Sequence, residues 1–400
     1  MTSLSVTVCI LLLYLIKYVT GNCTLILNDD FGHPSPVYIK NETYLAPNTP
    51  TGAIMISSSE MLRVGCTGNR NYVILGTNKT GINVMDVQCV NHKTFRAGGW
   101  LGEFKDIKCS SPASVEAEET TTYCAGRHRL YRVGYQIRNK FYTLYQACFD
   151  QGLQSTLYVQ HELMPYSHFM QNSVTRPQFL EGKLFNNIPM SKVYTIDNQR
   201  ARFNAILGSN MDQLYITKNQ FLARGHLAAR ADFVLRAPQK ASFHYINVNP
   251  QWMRGNGGDW AALEEALRRR VSRGGSSVNV ITGTHGVSTL PDKFGHSREL
   301  YLHVDKNNNE VVPVPLYYYK LVYDPRNKTA VAFVSINSSY YNNTTIDKLT
   351  FCNDICQSDS NLAWLSWRPN DGTHSFCCNY LEFVRTVHYL PRLNVRGLFY

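Results

Sequence analysis

The stretch Phe221-Leu222-Ala223-Arg224-Gly225-His226-Leu227-Ala228-Ala229-Arg230-Ala231-Asp232-Phe233 decides how this chain is read. It sets a histidine beside a glycine and an arginine, between apolar residues. An imidazole titrates near neutral pH and can take a proton from water. Gly225 permits close backbone approach or an unusual dihedral. Arg224 offers a permanently charged, forked donor that fits phosphate. Taken alone, Arg-Gly-His reads more readily as an exposed loop, because histidines are common there.

A second stretch, Asn247 to Arg268, supplies what such a histidine needs. Asn256 stands in a glycine-rich loop, and Asp259 is placed to cap a helix from Trp260 to about Arg273 that Gly274-Gly275 would end. Trp260, Leu263, Leu267 and Val271 recur at helical spacing and should face a core. Trp260, Glu264 and Arg268 are spaced by four and share one face. The amide oxygen of Asn256 suits Mg²⁺, a hard ion that keeps most of its waters. Glu264 would accept hydrogen bonds from those waters. The bland alternatives are a turn asparagine and a solvated Glu264–Arg268 pair worth a few tenths of a kcal/mol.

These residues together resemble the DNA/RNA non-specific endonucleases, which have the ββα-metal fold. The resemblance rests on Arg224-Gly225-His226, then Asn247-x-x-Pro250-Gln251, then Asn256-x-x-x-Trp260-x-x-x-Glu264-x-x-x-Arg268, and it covers most of residues 126–400. It implies His226 as general base and Asn256 as the direct protein ligand of Mg²⁺, with Mn²⁺ able to substitute. Glu264 would order the metal's waters. Arg224 and Arg268 would grip the phosphate, and Asn247 would be auxiliary. Cleavage would leave 5′-phosphorylated oligonucleotides. Many members carry Asp before Arg-Gly-His; here Ala223 stands there, which touches fine positioning rather than the base or the ligand.

The rest of the chain is consistent with this reading. Of its 400 residues 44% are hydrophobic and only 17% charged, yet the formal net charge is +11, which by itself fits a polyanionic partner (nucleic acid, a heparin-like glycan or an anionic membrane) about as well as a surface kept soluble by net charge. A site made of a metal, arginines and a histidine reads backbone phosphate, so DNA, and RNA as well, should be cut with little base preference. Val6 to Ile16 is apolar but short for a membrane span, and Val19-Thr20-Gly21 offers small residues for cleavage, so residues 1–21 read as a signal peptide of a secreted protein with no membrane attachment afterwards. Eleven cysteines less Cys9 leave an even number, expected to form disulfides outside the cell. Adjacent Cys377 and Cys378 should each pair elsewhere. Asn22, Asn41, Asn78, Asn327, Asn337, Asn342 and Asn343 open glycosylation sequons, which would mark surface loops.

Short apolar runs separated by Gly, Asn, Pro and Ser make residues 22–111 a small β-rich module braced by disulfides. Residues 112–123, polar and acidic, read as a linker. Residues 124–400 mix strands with few helices, an α+β domain. Within it, Gln199 to Leu207 reads as helix, while Leu214-Tyr215-Ile216, Val278 to Thr282, Leu316 to Tyr323 and Ala330 to Ile336 read as strands. Lys320, set among tyrosines, is either structural or faces substrate. Two other functions compete. One is a secreted polyanion-binding protein on a nuclease scaffold impaired at Ala223. The other is a zinc hydrolase using His161, Glu162, His285 or His296, for which no His-x-x-x-His pair speaks.

Overall fold

The computed structural model describes residues 21–356, 358–366 and 373–399; the expected signal segment, apart from Gly21, lies outside them. They form two compact units that divide between Ser114 and Val115. No helix among the described residues is long and apolar enough to cross a membrane.

The first unit is β-rich. Val37–Lys40, Met61–Gly65 and Val84–Asn91 are the middle strands of a six-stranded sheet. Leu62 and Val64, and Val87 and Cys89, are buried in alternation with more exposed neighbours, the period-two signature of a half-buried sheet, while Val37, Tyr38 and Ile39 are buried on both faces. Phe31, Tyr38, Phe95 and Phe104 form an aromatic cluster of edge-on and tilted rings, centroids 4.6–5.4 Å apart. Cys23–Cys89 and Cys66–Cys109 staple it.

In the second unit β1 (Glu116–Cys124), β2 (His128–Ile137), β3 (Lys140–Asp150) and β4 (Ser155–Leu163) run antiparallel. The segment expected as a linker is therefore largely β1, the edge of the sheet. Its acidic, threonine-rich composition serves an edge: Glu118 pairs with Arg132 at 2.7 Å and Glu119 with Arg129 at 3.2 Å on the neighbouring strand. Charge on an exposed edge also discourages strand addition. Sequence composition alone does not separate such an edge from a flexible connector.

Helix α1 (Ile196–Leu207) follows, capped by the Thr195 hydroxyl. Leu214-Tyr215-Ile216 is not a strand: Asp212–Tyr215 makes one helical turn, closed by Ile216 N–H donating to the Asp212 carbonyl at 2.8 Å. Three apolar residues in a row are too few to fix a period. Next come β5 (Leu222–His226), β6 (Val248–Trp252), the one-turn α2 (Met253–Gly257) and α3 (Asp259–Gly274). Among the described residues β5 and β6 pair only with each other, antiparallel, and α3 follows, a ββα unit. Gly258, not Asp259, occupies the N-cap position of α3, and Gly275 ends it at φ 65°.

β7 (Val278–Val287), β8 (Pro315–Asp324), β9 (Thr329–Ile336) and β10 (His374–Cys378) complete the antiparallel order β1-β2-β3-β4-β7-β8-β9-β10, and Gly397–Leu398 adds a ninth strand parallel to β9. Both faces are buried. Tyr318, Val322, Val331 and Phe333 pack on the side of α3 with Trp260, Leu263, Leu267 and Val271. Tyr317, Tyr319, Leu321 and Val334 face the opposite core with Phe383. The alternation along β8 puts Lys320 on the α3 side. The unit's three disulfides are Cys124–Cys148, Cys352–Cys378 and Cys356–Cys377, so the adjacent cysteines do pair apart.

One sequon is not at the surface. Asn337 is 4% exposed. Its amide donates to the carbonyls of Pro250 and Pro315 at 3.1 and 2.9 Å and accepts from Trp252 N–H at 3.0 Å. It ties β6 to β8.

Candidate active site

β5 and β6 bring Arg224 and His226 opposite Pro250 and Val248. The tight point is Gly225. A methyl there would lie 2.6 Å from the Gln251 Cβ and 2.7 Å from the Tyr318 hydroxyl, with the Gln251 amide oxygen nearer still. Close approach, not a positive φ, is what requires glycine. Gly225→Ala is expected to cost about 1–3 kcal/mol by overpacking, read as a lower urea midpoint; an unchanged midpoint would show that β6 yields freely.

His226 thus ends a strand rather than sitting in a loop. Its ring packs against Phe179 and Phe243, centroids 5.4 and 5.1 Å away. It hydrogen-bonds the Arg224 carbonyl, and Nε2 has no partner among the described residues. That assigns the proton to Nδ1 and leaves the Nε2 lone pair unpartnered on an atom shielded from solvent. Burial, with Arg176 and Arg230 nearby, lowers its pKa to about 4 against the Arg224 bond. The imidazole is neutral at physiological pH, the form a base needs.

His226, Arg224, Asn256 and Glu264 line one cleft of about 970 Å³, together with Ala223, Arg176, Arg230 and a run of aromatic residues. Arg224 is held rather than free. Its Nε donates to the Tyr245 hydroxyl at 3.0 Å, and its guanidinium lies 5.3–5.6 Å from the ring centroids of Phe179, Tyr194 and Tyr245. Asn256 is half-buried on α2, so the glycine-rich loop is a helical turn that Gly257-Gly258 breaks.

Behind the cleft lies a buried charge network. Arg268 Nη1 donates to Asp232 at 2.9 Å, and the other oxygen of Asp232 meets His161 Nε2 at 2.9 Å. Burial works to raise the Asp232 pKa, but His161 and Arg268 hold it well below the usual carboxylate range. Burial pushes Glu264 up to about 7, with Lys320 opposing and Asp232 reinforcing the rise. Lys320 is buried, donates to the Thr282 hydroxyl at 2.7 Å and lies 5.3 Å from the Trp260 ring centroid. It does not line the cleft, and its charge bears on Glu264.

Asn247 is elsewhere. It is fully buried and does not line the cleft. Its amide donates to the carbonyls of Ala228 and Ser242 at 2.9 and 3.0 Å, which uses both its donors, and accepts from Ala228 N–H at 2.9 Å. It shapes the turn after His226. The zinc candidates are dispersed: His161 is bonded to Asp232, Glu162 is exposed, His285 stacks on Tyr389, and His296 lies beside Asp292 on a hairpin. Among the described residues the one geometric metal cluster, Asp354 with Cys356 and Cys377, has its cysteines in a disulfide.

A second histidine, His244, is buried near this site and also lowered to about 4 by burial. Both it and His226 would titrate near 6.5 in an unfolded chain. Between pH 6.5 and 4 the unfolded state therefore binds more protons, so stability rises with pH across that window. The contribution is fully present above about pH 6.5 and is lost as pH falls toward 4. Urea midpoints are expected to drop steeply from pH 7 to pH 4.5, and His244→Gln should flatten the curve; a flat wild-type profile would contradict the burial of both rings.

Residues 127–379, well over half the chain, match the DNA/RNA non-specific endonuclease family model. The chain belongs to that family. Among its relatives, the salivary endonuclease of Lutzomyia longipalpis is 28% identical over 359 residues, spanning 88% of this chain and 79% of the relative. Salivary protein Tsal2A of Glossina morsitans morsitans is 25% identical across 95% of each chain. A solved structure of the EndoG/EndoGI complex contains a chain similar to this endonuclease at a TM-score of 0.39 and 18% identity, over 65% of this chain and 89% of that one. Within the endonuclease, the sequence motif leaves out Asp232, Arg230 and Arg176. The first two stand in the quoted stretch but have no spacing that marks them; Arg176 lies in an irregular segment with no signal at all.

Proposed function

We propose that this endonuclease is a secreted enzyme that hydrolyses DNA, double-stranded DNA first and RNA as a further substrate, with little sequence preference, using Mg²⁺ or Mn²⁺. The observation that carries the reading is the neutral, half-buried His226, whose Nε2 lacks a partner among the described residues, in the cleft that also holds Asn256 and Glu264. His226 takes the proton from the attacking water. Arg224 holds the phosphate in the cleft, Arg268, fixed by Asp232 behind it, adds positive charge that offsets the growing negative charge, and the 3′ oxygen leaves, giving 5′-phosphate ends. Asn256 fits a hard cation: it offers one neutral oxygen from a half-buried side chain, with Glu264 in the same cleft to accept from coordinated water. The bound ion would supply a positive charge to polarise the phosphate. Salivary relatives, five disulfides and the positive net charge support export and a polyanionic substrate.

A second reading, binding without cleavage, has one observation in its favour: Ala223 lines the cleft and offers no carboxylate where many members have one. Plasmid and double-stranded RNA incubated with Mg²⁺, with EDTA and with Asn256→Ala separate the two. Cleavage is expected in Mg²⁺, lost in EDTA and reduced about 100-fold or more by Asn256→Ala. Cleavage that survives EDTA would remove the metal from the mechanism. Intact nucleic acid that is nonetheless bound would favour the binding protein.

A further inference from the structure

The two motif arginines are already engaged in the folded protein. Arg268 is bonded to Asp232, and Arg224 is held by Tyr245 and the aromatic rings around it. Two further arginines line the same cleft: Arg230, on the 3-10 turn Arg230–Asp232, and Arg176. Among the described residues neither forms an ion pair. Arg230 is half-buried, and its Nη1 donates to the Val174 carbonyl at 3.3 Å, a long bond to a neutral group. Asp232, two positions along, is committed to Arg268 and His161.

A guanidinium taken partly out of water without a counter-ion is costly, and the cost is recovered when an anion binds. Burial, Arg176 and Arg268 all disfavour the charged form of Arg230, which marks the same excess of positive charge. The planar fork fits two phosphate oxygens. The cleft it lines also holds His226 and Asn256, so the phosphate in reach belongs to the strand being cut.

We propose that Arg230 binds a backbone phosphate of the nucleic acid at the His226 end of the cleft, as a substrate-binding residue outside the family motif. This rests on the endonuclease reading. Seating the phosphate also serves the base. Arg230 is one of the two cations that disfavour a protonated His226. An anion on Arg230 offsets that charge, so the imidazolium formed when water is deprotonated is better tolerated with substrate in place.

The test is binding of a fluorescent DNA duplex in EDTA, where cleavage is suppressed, from 50 to 300 mM NaCl. Wild type should show a steep loss of affinity with salt. Arg230→Ala should weaken binding about tenfold at low salt and reduce the slope of log K against log salt by about 0.9, one phosphate contact. Arg230→Lys should restore the slope but only part of the affinity. Arg326→Ala, at an exposed turn, is the control and should change neither. Arg230→Gln, which can still donate to Val174, replaces the alanine variant if that fails to fold. A folded Arg230→Ala or Arg230→Gln protein with the wild-type slope overturns the assignment. Wild type without salt-sensitive DNA binding would instead overturn the nucleic-acid reading itself.

Discussion

His226→Ala is expected to lower metal-dependent DNA cleavage by about 10²–10⁴-fold, the range a positioned general base contributes. The ring does more than carry a lone pair: it packs between Phe179 and Phe243, so truncation also leaves a hole. The two effects separate experimentally. Loss of packing lowers the urea midpoint, whereas loss of the base lowers the rate at full folding. Single-turnover cleavage well below the unfolding midpoint, with saturating protein, reads the chemistry alone. His226→Gln keeps some of the volume and should be nearly as slow as His226→Ala. If either variant cuts at the wild-type rate, another group is the base, and the unpartnered Nε2 has a different purpose.

Asp232→Ala is expected to have the largest effect on stability, about 3–5 kcal/mol, because it strands a buried positive charge. The carboxylate is bonded to Arg268 and His161 at once, and all three side chains are buried. Removing it leaves Arg268 without a counter-ion beside Lys320. Thermal or urea unfolding should show the loss directly. Asp232→Asn keeps the shape and one acceptor, so it should cost less than alanine. Both variants should also impair cleavage, since Arg268 loses the bond that fixes it. A loss of stability below about 1 kcal/mol would mean that water reaches this network.

Much of the ββα unit is legible in the sequence because it is written in short-range code. Four-residue spacing sets Trp260, Glu264 and Arg268 on one face, and glycine marks both the tight strand and the end of the helix. His226 and Asn256 do meet in one cleft, although one is on a strand and the other on a helical turn. What is not legible depends on distant partners. Asn247 looks like a polar site residue until the Ala228 and Ser242 groups that consume its amide are placed. Asp232 pairs with His161 across 71 positions and with Arg268 across 36. No local pattern encodes such pairs. The acidic run Glu116–Cys124 fails for a related reason: its neighbours Arg129 and Arg132 turn a would-be connector into a sheet edge.

The buried amide of Asn337 sets a race during synthesis. In a chain routed through a glycosylating compartment, Asn337-Ser338-Ser339 would be an acceptor for an oligosaccharide before folding. After folding, the same amide is locked between Pro250, Pro315 and Trp252 and out of reach. A chain that receives a sugar there first cannot dock β6 against β8, and β6 is one of the two strands of the ββα unit. Where the sequon is used, the yield of folded protein in a glycosylating host is expected to depend on how fast this corner closes relative to the transferase.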